Sequence, residues 1–198
     1  MALEKVAPII LAAGKSTRFG SNKLLAEVEF KGIRQALLLH TLSPWLDVFE
    51  RVYLVTPKEN QLIEEACHSI DHSIEFIKAE QSELGMGHSL TAGMEACHSS
   101  QGYLIGLADM PMIEPEILEN LVNKLEQGFP IAAPYFEGRR GHPVAFSRIY
   151  RDALLALSGD VGAKSILLEN EKLIEKVNVK SSSVLTDIDL KSDLSVLS

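Results

Sequence analysis

The chain has 198 residues, 46% hydrophobic and 23% charged, with 19 Lys and Arg against 27 Asp and Glu for a formal charge of −8. That length suits one α/β domain, which buries about 70% of its unfolded surface and needs neither a disulfide nor a metal to fold. The acidic balance argues against a general nucleic-acid binder, and no apolar run approaches the roughly 18 residues that would make a membrane span. Two cysteines, Cys67 and Cys97, fit neither a disulfide framework nor a metal site, so reduced thiols and a cytoplasmic location are expected. The N-terminus has no basic segment or small-residue cleavage site, so no leader peptide is expected.

Residues 6–12 form a continuous apolar run, too short for a helix and ending in a Gly/Ser loop, which predicts a buried strand. Residues 34–43 follow as a helix with Leu38, Leu39 and Leu42 on one side. A second strand over 52–55 leads to a helix over 58–69, and a third over 74–77 leads to a helix over 88–98. The fourth strand, 103–107, precedes the clearest helix, 115–127, with Pro115 suited to its first turn and Gly128 to its stop. A strand over 130–133 is followed by a helix that Ser147 is placed to cap and by another that Asp160 is placed to cap. Alternating strand and helix predicts right-handed crossovers and a three-layer α/β/α, Rossmann-like architecture with a mostly parallel central sheet. Residues 1–198 are expected to form a single domain. In such sheets ligands bind outside the carboxyl ends of the strands, so chemistry is sought in the segments after each strand.

The segment after the first strand is small, flexible and basic. Lys15, Arg18 and Lys23 are its charged residues, and no acid occurs from Leu11 to Ala26. Backbone N–H groups of a Gly/Ser-rich turn with added cations make a polyphosphate cradle; the alternative is an exposed basic loop. Gly14-Lys15-Ser16-Thr17 is not a P-loop, because Ile9 stands where that motif needs glycine. At the end of the fourth strand Asp109 is a lone carboxylate that can hold Mg²⁺, which takes one or two protein carboxylates and fills its shell with phosphate and water. Its alternative role is to cap the turn before Pro111. Gly85 and Gly87 let backbone approach a flat ligand, and Ser89 is placed to cap the helix that follows. Asp160 either caps a helix whose N-terminus faces an anion or simply caps.

These segments together resemble the nucleotidyltransferases of molybdenum-cofactor biosynthesis, the MobA-like NTP transferases. The family's Leu-Ala-Ala/Gly-Gly-x-Ser-x-Arg-x-Gly-x-x-Lys is filled by Leu11, Ala12, Ala13, Gly14, Ser16, Arg18, Gly20 and Lys23. Ala-Asp-Met-Pro at 108–111 and Gly-Met-Gly-His-Ser-Leu at 85–90 are similar to its metal motif and to a segment of its cytidylyltransferase branch. Gly-His-Pro-Val at 141–144, Gly-Asp-Val-Gly-Ala-Lys at 159–164 and Asp-Ile-Asp at 187–189 complete six motifs in the family's order. Lys164 replaces the usual Arg, keeping charge but losing the fork geometry.

The resemblance implies a nucleotidyltransferase fold and a loop, Leu11 to Ser16 with Lys15, that wraps an NTP, with Arg18 and Lys23 on the phosphates. It places Gly85, Met86, Ser89 and Glu80 beside the base. His142, Asp160 and Lys164 fall on the acceptor side, and Asp109 with Asp189 (or Asp187) on Mg²⁺. The implied reaction is Mg²⁺-dependent transfer of CMP from CTP to the phosphate of the molybdopterin cofactor, for eventual use by a client molybdoenzyme. No nucleic-acid or membrane partner is expected. Guanylyl transfer, a sugar-phosphate acceptor, and a carrier that delivers the cofactor without catalysis are the alternatives. A capped turn into a C-terminal helix is the alternative role for the Asp187/Asp189 segment.

Overall fold

The computed structural model describes residues 5–14, 19–70 and 73–197. Its central sheet has eight strands in the order β10-β7-β9-β6-β1-β4-β5, with β8 paired to β7. The strands are β1 (Val6–Leu11), β4 (Val52–Pro57), β5 (Ile74–Ala79), β6 (Gly102–Leu107), β7 (Ile131–Phe136), β8 (Arg139–Arg140), β9 (Val144–Ser147) and β10 (Ile174–Asn178). Strand β1 pairs in parallel with β4 and β6, β4 with β5, and β7 with β10, whereas β9 runs antiparallel between β6 and β7. The expected mostly parallel α/β/α arrangement is therefore present, with one reversed strand in its main path.

Alternating side chains of one strand serve the two helical layers. Ile10, Leu54 and Leu104 pack with Leu38, Leu42 and Trp45 of α1 (Leu37–Val48) and with Leu118, Leu121 and Val122 of α4 (Pro115–Glu126). On the other face, Ile9, Val55 and Ile105 pack with Leu90 and Met94 of α3 (Met86–Ala96). Leu154 of α5 (Arg151–Leu155) and Ile166 and Leu167 of α6 (Lys164–Glu169) complete that layer. The short α2 (Gln61–Ala66) contributes Ile63 to the first layer. Trp45 lies against Gly106 in β6, where any β-carbon would overlap the indole ring, so the glycine is what admits this side chain to the sheet face. Cys67 and Cys97 are free and buried, and burial pushes their thiols up to about 11 and about 12. No helix among the described residues is long and apolar enough to cross a membrane.

Several elements differ from the sequence-based expectation. Residues 34–43 are not one helix: β2 (Glu27–Phe30) and β3 (Ile33–Ala36) form an antiparallel hairpin, and α1 starts only at Leu37. The two-residue turn is Lys31-Gly32, with both φ values positive at 53° and 76°. Such a turn usually carries Asn-Gly or Asp-Gly, so its sequence signal is weak. Strand β9 lies in a motif segment whose alternation is too short to register, and β10 follows a 3₁₀ turn with alternating, half-exposed residues. Neither Ser147 nor Asp160 caps a helix with its side chain, and Ser89 sits buried inside α3 rather than at its start.

Candidate active site

The loop after β1 and the loop after β6 are brought together by strand register. Leu11 pairs with Leu107, Ala12 N–H donates to Val55 O at 2.7 Å, and Ala108 N–H donates to Leu11 O at 3.1 Å. The Thr41 hydroxyl donates to Ala108 O at 2.8 Å, fixing the strand end immediately before Asp109. Asp109 O in turn accepts from Ile188 N–H at 2.9 Å, so a chain segment from near the C-terminus is laid along the same strand end. This bond explains why Asp187 and Asp189, on either side of Ile188, flank Asp109. Farther back, His142 N–H donates to Val184 O at 2.9 Å, and Gly141 packs so closely on Val184 O that a β-carbon would overlap it.

Asp193 completes the local frame. Its Oδ2 accepts from the N–H groups of Asp189 and Leu190 at 2.9 and 2.7 Å. The C-terminal segment is thus a capped turn, as one reading of the sequence had it, but Asp193 makes the cap and the Asp189 carboxylate points into the cleft. Lys23 is placed by its own short 3₁₀ turn, which Asn22 caps by accepting from Leu24 N–H at 3.2 Å. Lys23 Nζ donates to Asp109 Oδ2 at 2.6 Å and to Asp189 Oδ1 at 2.7 Å.

The resulting cleft has a volume of about 570 Å³. Ala12, Ala13 and Gly14 form one wall, Lys23 and the three aspartates the floor, and Ser82, Gly85, Met86 and Ser89 the other wall. Glu83 and Asp160 also line it, so five carboxylates face the cleft and Lys23 is the cation among the described lining residues. Carboxylate oxygens of Asp109, Asp187 and Asp189 lie within 4.8 Å of one another. Asp109 Oδ1 is buried and accepts no hydrogen bond from the described residues. Hard oxygen donors, one of them buried and unpartnered, fit a divalent cation such as Mg²⁺ or Mn²⁺.

Burial raises the Asp109 carboxyl above its ordinary value, the Lys23 ammonium opposes that rise, and Asp187 adds to it. For Lys23 burial acts downward, but the hydrogen bonds and charges of Asp109 and Asp189 outweigh it, so its pKa lies above the usual lysine value. The floor of the cleft is therefore an ammonium held between the carboxylates of Asp109 and Asp189, with Asp187 beside them, an acidic cluster only partly neutralised by Lys23.

The second wall depends on two glycines. Gly85 has φ 126° and ψ 170°, a conformation essentially restricted to glycine, and a β-carbon there would overlap the backbone of Gly159 and the Asp160 carboxylate. Gly87 is similarly pressed against the backbone of Ser158. The 85–89 and 158–160 segments thus close on each other at the cleft edge, which puts Asp160 on the same wall as Gly85. Gly85→Ala is expected to cost about 1–3 kcal/mol from backbone conformation alone. That corresponds to a fall of roughly 2–12 °C in Tm for a chain of this size, measured by circular dichroism; an unchanged Tm would mean this contact is not formed.

Of the residues proposed from sequence, Leu11, Ala12, Ala13, Gly14, Lys23, Gly85, Met86, Ser89, Asp109, Asp160 and Asp189 line the cleft. Lys15, Ser16 and Arg18 lie outside the described residues. Glu80, Lys164 and His142 are not among the lining residues. Glu80, the residue after β5, is exposed and paired with Lys58 at 2.7 Å, and Ser82 and Glu83 line the cleft with Gly85. Lys164 opens α6 as an exposed residue outside the cleft lining. His142 also lies off the lining, with a buried, unpartnered Nδ1; burial lowers its pKa, Arg140 acts the same way and Asp187 opposes them. Asp187 and Asp189 both flank Asp109.

Comparison with known proteins gives this geometry a family. A model of the MobA-like NTP transferase domain matches residues 8–174. The chain is 31% identical over 190 residues to the purine catabolism protein PucB of Bacillus subtilis, covering 91% of this chain and 90% of that protein. It is 28% identical over 152 residues to the bifunctional protein GlmU of Rippkaea orientalis, covering 74% of this chain but only 32% of that longer protein. Among solved structures, Rv0371c of Mycobacterium tuberculosis superposes with a TM-score of 0.80 at 22% identity, covering 98% and 97% of the two chains. Its complex with manganese superposes at 0.78 and 21% identity, over 98% of this chain and 97% of that one. With most of its length matched by the family model and its sheet shared with these structures, the chain belongs to the MobA-like NTP transferase family.

Proposed function

We propose that the chain is a divalent-cation-dependent cytidylyltransferase that moves CMP from CTP to the terminal phosphate of Mo-molybdopterin, releasing pyrophosphate, and that residues 1–198 act as one cytoplasmic domain. The observation that carries this reading is the placement of Lys23 and three aspartates at the floor of a cleft walled by the β1 loop. In the reaction an oxygen of the acceptor phosphate bonds to the α-phosphorus of CTP. The bond from that phosphorus to the α–β bridging oxygen breaks, and its electron pair departs on pyrophosphate. The acceptor is already ionised at neutral pH, so no side chain need remove a proton.

The protein's contribution is positioning and charge placement. Backbone of Ala12 to Gly14 lies along the cleft where a triphosphate would run, and Lys23, with Arg18, neutralises charge that develops on the leaving pyrophosphate. Asp109, with Asp187 and Asp189, would hold Mg²⁺, and the cation when bound draws charge from the phosphates. The Ala13 methyl, on the wall opposite Gly85 and Met86, is assigned to narrowing the cleft so that a pyrimidine is favoured over a purine. Asp160, facing the same wall, is assigned to ligand contact in the cleft.

Pyrophosphate release measured with Mo-molybdopterin and each of the four NTPs tests this. Release with CTP alone is expected. Release with GTP alone would transfer the base assignment to guanine, and none with any NTP would replace the enzyme by a cofactor carrier.

A further inference from the structure

Lys23 Nζ stands between the two carboxylates that the metal reading needs, 2.6 Å from Asp109 Oδ2 and 2.7 Å from Asp189 Oδ1. These are short, charge-assisted contacts. The side chain is only 12% exposed, so the ammonium is a built part of the floor and not a surface lysine resting on it. Mg²⁺ would need the same oxygens at about 2.0–2.1 Å. An ammonium and a dication cannot both bridge one pair of carboxylates, because they compete for the same space and repel each other.

Resting on the reading that these aspartates hold a divalent cation, we propose that Lys23 is a resident counter-ion that must leave Asp109 and Asp189 before the cation can bridge them, so that cation and triphosphate bind cooperatively. The flexible four-carbon stem lets the ammonium swing while its backbone stays fixed by the Asn22 cap. Ala12 to Gly14 line the same cleft as Lys23, so the incoming triphosphate supplies the alternative anionic partner. One group is then shared between two partners: on the carboxylates it opposes the cation, and on the phosphates it releases both oxygens to it. The device keeps five cleft carboxylates from holding a stray cation tightly when no nucleotide is present. The carboxylate cluster also offers a competing arrangement. A cation on Asp109 Oδ1 and Asp187 would leave the Lys23 contacts untouched.

The test uses Mn²⁺ alone as the probe. Binding to the nucleotide-free full chain is followed by electron paramagnetic resonance of free Mn²⁺, in wild type and Lys23→Met. In parallel, acetylation of Lys23 in wild type is followed by mass spectrometry with and without saturating Mn²⁺. Lys23→Met is expected to bind Mn²⁺ at least about tenfold more tightly, within the usual span of coupling between sites. Mn²⁺ alone is expected to speed Lys23 acetylation severalfold as the ammonium is expelled. Equal affinities would overturn the proposal and place the cation on Asp109 Oδ1 and Asp187. Tighter binding without faster acetylation would also overturn it, reducing Lys23 to a repelling neighbour. If Lys23→Met does not fold, the wild-type acetylation decides by itself. No Mn²⁺ binding to either protein would overturn this proposal and the metal reading together, whereas a wrong base or acceptor would leave every arm unchanged.

Discussion

Asp109→Asn is expected to remove divalent-cation-dependent turnover, by about 10³-fold or more, while the fold persists. A cation acting on phosphate oxygens supplies several kcal/mol of charge stabilisation, and each 1.36 kcal/mol is about tenfold in rate. The amide keeps the size of the side chain and an oxygen for Lys23, but not the charge that would hold the cation. Removing one partner of a buried pair usually costs about 3–5 kcal/mol because it strands the other charge. Here Lys23 keeps Asp189 at 2.7 Å, and the burial that raises the Asp109 carboxyl is relieved. The fall in Tm should therefore be only a few degrees, about what 1 kcal/mol produces in a chain of this length. Turnover in a pyrophosphate-release assay across a Mg²⁺ titration, with a thermal melt beside it, separates the two roles. An unchanged Mg²⁺ dependence would make Asp109 a turn residue before Pro111 and nothing more.

Lys23→Ala is expected to lower kcat by about 10²–10³, the scale of losing one preorganised electrostatic group at a reacting phosphate. The loss should fall mainly on kcat, since the ammonium matters most when charge builds on the departing pyrophosphate. The substitution also strips Asp109 and Asp189 of a shared counter-ion, so it should destabilise the chain more than Asp109→Asn does. Steady-state kinetics with CTP varied at saturating Mg²⁺ would show the split. A near-normal kcat would take Lys23 out of the chemistry and leave it a structural counter-ion.

The legible parts of this chain were those where a local pattern carries its own physical cause. An apolar run too short for a helix gave away β1, and Pro115, Gly128 and a one-sided apolar face marked α4. Lys23, Asp109 and the 85–89 segment stood out because they follow strands, and in a parallel sheet the strand ends converge. The hairpin β2–β3 escaped notice because Lys31, not Asn or Asp, takes the first left-handed position of its turn. Glu80 follows β5 as its position in the sequence implies, yet it pairs with Lys58 outside the lining while Ser82 and Glu83 line the cleft, a difference of two or three residues that no local pattern specifies. Asp193 looked like any charged residue near the end, although its Oδ2 caps the Asp189 and Leu190 amides.

By itself the sequence determined the class of architecture, the acid-free basic segment from Leu11 to Ala26 and the residue types available to bind a triphosphate and a cation. Those follow from periodicity and composition, which act over a few neighbouring residues. Only the tertiary structure decided which carboxylates meet. Asp187 and Asp189 reach Asp109 through one backbone bond from Ile188, across 79 positions of chain, and Lys23 meets Asp189 across 166. Contacts at such separation depend on strand order and on where the final segment is laid down, and neither is written in local pattern. The same assembly turned a loop lysine into the counter-ion of the acidic floor, because burial makes a carboxylate pair seek the nearest ammonium.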